Sequence, residues 1–390
     1  MTWNVPSRSV HAVNRSLRVA IDLRPLALES AGGVGLQLSQ LLEEVPRLGV
    51  SYVGLSDRPL PPGRVPAGIP VVVEGPSGQR IRWERRVLPR LLSLLDPPPD
   101  LFHAPWNHGI PAGLPMPSVL TLHDLIPWRL PKAVPWPWPA WLHQGVYRSA
   151  VRASARRAAV IITVSEASRR DIAARIPDAA PRIEVVPNAL PRWFVAAAPA
   201  RVAENRRAFG NPYWLYLGGF DPRKGLFTLL AAMAAAFPDG GGPVLILAGG
   251  RNEHSKACEA MAAALRVNAI FPGFVPDADL SALFAGASLF VYPSYHEGFG
   301  IPPLLALAAG TPCITTDGGA LPEVVGDAAI IVPARDTPAL AIALRRAADD
   351  PAPLRALSAR GRERAAGFSV EALAARTLRA YERALGRREG

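Results

Sequence analysis

Short apolar runs alternate with helical periodicities along almost the whole chain. LRVAIDL at residues 17–23 precedes LQLSQLLEEVPRL, whose leucines recur at helical spacing. A weaker pair of runs, SYVGLS and PVVVE, follows, and then DLFHAP, SVLTLHD, AVIITVS and IEVVPNAL. β-branched runs separated by helices predict parallel strands covered on both faces. The pattern then breaks. PRWFVAAAPARVAENRR loses the period of two and reads as a connection. Alternation restarts with YWLYLGGF, a helix from Lys224, VLILAGG, a helix over residues 254–266, AIFPGFV, SLFVYPS, PCITTDGG and AAIIVP. Ala/Arg/Leu helices beginning at TPALAIALRRAADD close the chain. No repeat of a solenoid period is visible.

The predicted fold class is therefore α/β, with two doubly wound parallel-sheet, Rossmann-like domains and C-terminal helices. The expected division is a flexible N-terminus over residues 1–16, a first domain over 17–195, a second over 196–370 and a final helix over 371–390. A length of 390 residues agrees with two cores rather than one. Open sheets of this kind take ligands beyond the carboxyl ends of their strands. The loops after the strands are where chemistry is sought.

Composition changes this picture little: 49% hydrophobic and 19% charged residues describe a folded chain. Cys258 and Cys313 form no CxxC or Cys/His cluster, so neither a disulfide framework nor a metal site is predicted. No apolar stretch is long enough to span a membrane and the N-terminus has no signal-like segment, so a cytoplasmic location is expected. The net charge of +11 lies mostly in the first half. It suits an anionic partner, whether nucleic acid, phospholipid surface or phosphorylated substrate, and equally suits a solvated basic face. Nucleic acid is disfavoured because no recognition helix, RNP-like pattern or zinc module is present.

Four loops carry candidate chemistry. In ESAGGVGLQ (residues 29–37), Gly32, Gly33 and Gly35 permit close backbone approach at a helix start, as a plain turn also would. In TLHDLIPW (121–128), His123 and Asp124 end a strand; an imidazole there can bond a hydroxyl, and a carboxylate can orient a partner, but structural roles are equally open. His103 and His108 are weaker candidates. In YLGGFDPRKG (216–225), Arg223 and Lys224 place a planar fork and a point charge at a strand mouth, where they suit a diphosphate or simply a basic turn. In HEGFGIPPLLALAAGTP (296–312), Glu297 and the Gly298-Phe299-Gly300 loop precede an almost wholly apolar helix. A carboxylate at that mouth can accept bonds from sugar hydroxyls, and the loop amides can face a phosphate.

Taken in order, GGVG, TLHDL, GGFDPRKG, SYHEGFGIPPLLALAAGTPCI and GGALPEVVGDAAIIV resemble family 4 of the retaining nucleotide-sugar glycosyltransferases, in flavour closest to bacterial mannosyltransferases of surface polysaccharide synthesis. The resemblance implies the two-domain fold called GT-B. It implies that Arg223 and Lys224 bind the donor diphosphate, that His123 lies beside the transferred sugar, and that Glu297 faces the sugar hydroxyls. Gly298, Phe299 and Gly300 would then form the loop over the donor, with Gly33 and Gly35 lining the phosphate end and Gly218, Gly219 and Ile301 also binding the donor. Asp124 and Trp128 would stand on the acceptor side. No metal or cofactor is implied beyond the nucleoside-diphosphate sugar itself. The acceptor would be a glycan or lipid-linked, with peripheral contact at the inner membrane face. PWPWPAW (135–141) offers aromatic rings to a sugar or bilayer, or is a packed loop, and IRWERRVLPRLL (81–92) reads as an ordinary surface helix. One position departs from the family: the second Glu of its Glu, seven residues, Glu motif is Leu305 here. A carboxylate bonded to ribose hydroxyls contributes about 1.5–3 kcal/mol, so its loss leaves open a degenerate, non-catalytic protein of the same fold.

Overall fold

A computed structural model of the protein describes residues 16–27, 32–75, 77–129 and 140–386. The start of ESAGGVGLQ, most of PWPWPAW, and nearly all of the expected N-terminal arm lie outside them.

Among the described residues, thirteen strands form two all-parallel sheets. The first sheet contains β1 (Leu17–Asp22), β2 (Val50–Ser56), β3 (Val71–Val73), β4 (Leu101–Ala104), β5 (Ser118–Thr121), β6 (Val160–Thr163) and β7 (Ile183–Val185), in the order β3-β2-β1-β4-β5-β6-β7. The second contains β8 (Tyr213–Leu217), β9 (Val244–Ala248), β10 (Ala269–Gly273), β11 (Leu289–Tyr292), β12 (Cys313–Thr316) and β13 (Ile330–Val332), in the order β10-β9-β8-β11-β12-β13. In each sheet the winding reverses beside the first strand, between β1 and β4 and between β8 and β11. Chains leaving neighbouring strands there turn to opposite faces and open a crevice.

The apolar runs are continuous because both sheet faces are buried. Along β1, Val19 and Ile21 join one core cluster and Ala20 another on the opposite face. The same division separates Leu101 from Phe102, Val119 from Leu120, and Val160 from Ile161. A third cluster fills the second domain. The helix Val370–Ala384 returns to the first domain, where Leu373, Ala374 and Tyr381 pack in the cluster of Val19 and Ile21. Tyr381 Oη lies 3.0 Å from Tyr52 Oη and 2.9 Å from His103 Nδ1. His103 is thus an interior residue: burial, with the nearby His123, pulls its pKa down to about 3, so it is neutral near pH 7.

Two local expectations need correction. The stretch read as a connection contains the helix Pro199–Phe209, which buries none of its residues and so leaves no apolar stripe to read. The helix expected from Lys224 begins instead at Leu226, because Gly225 takes a left-handed φ of 70° and ends a separate turn, Pro222–Lys224. The basic segment around residue 85 is helical over Arg80–Leu94, interrupted by one wider turn at Trp83–Val87, with Trp83, Leu88, Leu91 and Leu92 facing the core.

Candidate active site

The loop after β8 is shaped by its own residues. Asp221 Oδ1 accepts a bond from Arg223 N at 3.2 Å and caps the short turn that carries Arg223 and Lys224. Gly225 follows where a Cβ would meet the carbonyl oxygen of Pro293, so the two strand mouths on either side of the crevice touch backbone to backbone. The loop after β11 is tied in turn to the loop after β12: Glu297 N donates to Gly318 O at 3.3 Å, and Ala320 N to Glu297 O at 3.0 Å.

These constraints bring three predicted residues together. Glu297 Oε1 lies 2.7 Å from Arg223 Nη1 and 2.8 Å from Lys224 Nζ. Ser294 Oγ donates to the same oxygen at 2.6 Å and Tyr292 Oη at 3.1 Å. Lys224 Nζ also donates to Tyr292 Oη at 2.7 Å, and Arg223 Nη1 to the His296 carbonyl at 2.8 Å. Burial alone would push the Glu297 carboxyl up, but Lys224 and Arg223 outweigh it and hold its pKa at about 2. Glu297 is therefore ionised throughout the physiological range. Counting Asp221, 3.6 Å from Arg223 Nε, the formal charges cancel. That Nε is buried and has no hydrogen-bond partner, so a donor remains for an incoming acceptor.

The first domain meets this cluster closely. A Cβ on Gly298 would stand 2.6 Å from Asp124 Oδ2, and one on Gly33 would stand 3.1 Å from Ile301 Cδ1. Asp124 is fixed by Ile126 N at 2.9 Å. Burial raises its pKa, opposed by Arg223 and Lys224 across the cleft. His123 donates Nε2–H to the Pro105 carbonyl at 3.1 Å, and burial lowers its pKa to about 4. The ring is neutral near pH 7 and keeps Nδ1 as an acceptor. Asn107 connects the pair, accepting from His123 N at 3.0 Å and donating to Asp124 O at 3.0 Å. Gly218 and Gly219 follow β8 beside Tyr216, whose hydroxyl donates to Gly219 O at 2.7 Å. Gly35 is buried within the helix Gly32–Glu44.

Other predicted residues are buried in packing. Trp128 is buried in the first domain's core, with the guanidiniums of Arg148 and Arg152 over its ring at 5.4 and 4.7 Å. That is a packed environment. The helix Ile301–Ala309 opens on Ile301-Pro302-Pro303, and the prolines have no N–H. The free backbone amides at this strand mouth are therefore those of the Gly298–Gly300 loop more than those of the helix. Leu305 is 3% exposed and belongs to the second domain's apolar core.

Sequence reasoning overlooked the partners. Tyr292 and Ser294, which complete the Glu297 site, lie within SLFVYPS and look like ordinary strand-end residues. Glu323 was visible in GGALPEVVGD without a role. Its carboxylate accepts from Glu166 N and Ala167 N of the other domain, each at 2.8 Å.

Comparison with known proteins places this geometry in a family. The family described as Glycosyl transferases group 1 matches residues 201–364, and Glycosyltransferase Family 4 matches residues 31–192. The O-antigen chain mannosyltransferase B of Escherichia coli is 31% identical over 294 residues, 72% of this chain and 74% of that protein. The MMP alpha-(1->4)-mannosyltransferase of Mycolicibacterium hassiacum is 32% identical over 239 residues, 60% of this chain and 56% of that protein. Among solved structures, sucrose-phosphate synthase from Thermosynechococcus elongatus matches 95% of this chain and 100% of its own at TM-score 0.74 and 21% identity. Anabaena HepE in complex with UDP and glucose matches 94% and 99% at TM-score 0.73 and 18% identity. The architecture is GT-B. The chain belongs to the family 4 glycosyltransferases.

Proposed function

We propose that the protein moves a hexose, mannose first among the candidates, from a nucleoside diphosphate to a glycan or lipid-linked acceptor in surface polysaccharide synthesis, with retention at the anomeric carbon. The observation that carries this reading is the convergence of Arg223, Lys224 and Glu297 at the switch point of the second sheet, within reach of Asp124. In the proposed reaction the anomeric carbon's bond to the diphosphate breaks as the acceptor hydroxyl oxygen bonds to that carbon. The hydroxyl proton passes to the leaving phosphate oxygen. Arg223 and Lys224 stabilise the charge gathering on the diphosphate, where displacement from Glu297 frees their donors. Glu297 and neutral His123 accept bonds from sugar hydroxyls. The N-terminal domain, with its basic excess, would receive the acceptor at the cytoplasmic membrane face; among the described residues no helix is long and apolar enough to cross a membrane. The mannose preference is supported by the names of the relatives above, while a 2-deoxystreptamine glucosyltransferase of Streptomyces kanamyceticus, 31% identical over 60% of this chain, keeps glucose in view.

The test is thermal stability against GDP, UDP, ADP and dTDP with their sugar conjugates, followed by NMR of the product's anomeric configuration. A ligand at a hundredfold excess over Kd stabilises by about 2.7 kcal/mol. A shift with one diphosphate names the donor class, and an inverted product would end the retaining assignment.

Buried Leu305 favours a second reading, a non-catalytic partner of the same fold. It predicts no shift with any nucleotide at millimolar concentration. In that reading Leu305→Glu restores nothing. Because the side chain sits in apolar packing, the substitution is expected to lower Tm, and a gain in nucleotide affinity would show instead that position 305 reaches the ribose.

A further inference from the structure

The N-terminus of the helix Glu166–Arg175 in the first domain meets the second domain. The first four amides of a helix have no partner within it. Here Arg169 N makes the first intrahelical bond, to Ser165 O at 2.9 Å, and of the three helical amides before it Ser168 N is taken by the N-cap Ser165 Oγ at 3.0 Å. The other two, Glu166 N and Ala167 N, are both taken by the Glu323 carboxylate of the opposite domain at 2.8 Å. The interaction is charge-assisted and lies at the positive end of the helix dipole, so it is of the stronger kind.

The same turn holds the catalytic loop. Ser165 Oγ donates to Gly298 O at 2.7 Å, with Ser168 Oγ at 3.3 Å. One hydroxyl thus caps its helix and grips the carbonyl next to Glu297. Beside this contact lies a cavity of about 530 Å³ whose walls come from both domains, including Asn188, Phe299, Phe368 and Arg376. The contact is therefore open on that side, while Val164 and Phe194 pack into the second domain's core cluster nearby.

We infer that Glu323 is a positioning residue for sugar transfer: by capping the helix Glu166–Arg175 across the cleft it holds the domains closed, so that Ser165 seats the Gly298 carbonyl and sets Glu297 against Asp124. Opening the cleft returns the two amides to water and releases the Gly298 loop in one step. Glu323 touches no substrate. Its effect on turnover rests on the donor seat proposed above, whereas its effect on closure does not.

The experiment therefore has two arms. Without substrate, hydrogen exchange across residues 166–168 and small-angle scattering are compared between wild type and Glu323→Ala. Exchange at the freed amides is expected to rise at least tenfold, with a larger radius of gyration. With the sugar conjugate that stabilises the wild type, kcat is expected to fall about ten- to hundredfold, as losing one or two charge-assisted bonds predicts. Donor KM should stay within about twofold, because the donor seat is held by the second domain's own loops, whose Arg223, Lys224 and Glu297 contacts do not pass through the first domain. Glu323→Gln, which keeps one acceptor oxygen, should recover part of kcat. Ser165→Ala, which releases Gly298 while leaving Glu323 in place, should lower kcat without the exchange change at Glu166. Unchanged exchange and scattering in Glu323→Ala would overturn the closure role. Unchanged kcat alongside altered exchange would overturn the positioning role. Equal losses of kcat and donor affinity with lowered Tm and no recovery by Gln would make the residue merely structural. If no nucleotide sugar is turned over by the wild type, the exchange and scattering arm still decides the closure.

Discussion

At the residue scale, Glu297 shows how a buried carboxylate stays charged. Desolvation opposes ionisation, and two cations within 3 Å reverse that preference. Because its pKa is depressed from the ordinary 4.5 to about 2, its contribution to stability is fully present above the ordinary value and is lost as pH falls towards 2. Glu297→Gln leaves Lys224 without its counter-charge and Arg223 with Asp221 alone, and is expected to cost about 3 kcal/mol at pH 7. Measured by urea unfolding, the gap between variant and wild type should narrow steadily below pH 4.5. A pH-independent gap would mean that the carboxylate's charge is not what the cations respond to. The pattern of strand, glycine turn and charge made Glu297, Arg223 and Lys224 legible. Tyr292 and Ser294 were not, because a hydroxyl at a strand end looks the same whether it donates to a carboxylate or to water.

At the element scale, the site is a meeting of loops. The loop after β11 can approach the first domain only because Gly298 lacks a Cβ: Asp124, pinned by its bond from Ile126 N, occupies that space. Gly298→Ala is expected to wedge the cleft open and to lower sugar-transfer kcat by about ten- to hundredfold, the range in which small misplacements act. Tm should change little, since the two domain cores are untouched. Steady-state kinetics with a calorimetric control check this, and a normal kcat would show that the approach of Gly298 to Asp124 is dispensable. The elements themselves were readable wherever burial imposes a period. The helix Pro199–Phe209 escaped because none of its residues is fully buried, and the turn Pro222–Lys224 because a single left-handed glycine decides where a helix begins.

At the scale of the whole molecule, the chain closes on itself. The last helix completes the first domain's core, and Tyr381 bridges Tyr52 and His103 beneath the sheet. Tyr381→Phe leaves those two buried groups short of a partner and is expected to cost about 1–3 kcal/mol, read as a lower Tm at pH 7. Residues 371–390 stood apart as a terminal helix in the sequence, yet their removal should destabilise the first domain rather than the second. Limited proteolysis of a chain ending at residue 370 distinguishes the two outcomes: cuts confined to the second domain would refute this placement.

By itself the sequence determined what local and periodic interactions control: which runs are buried on both faces, that two doubly wound sheets follow one another, and which charged residues stand at strand mouths. Those features depend on a residue and its near neighbours. Tertiary structure alone decided which distant groups share a proton, a bond or a space. The Glu323 carboxylate and the amides it caps are 157 and 156 residues apart. No periodicity records such a pairing, because it exists only when two independently folded sheets are brought face to face and a helix end is left with amides to satisfy.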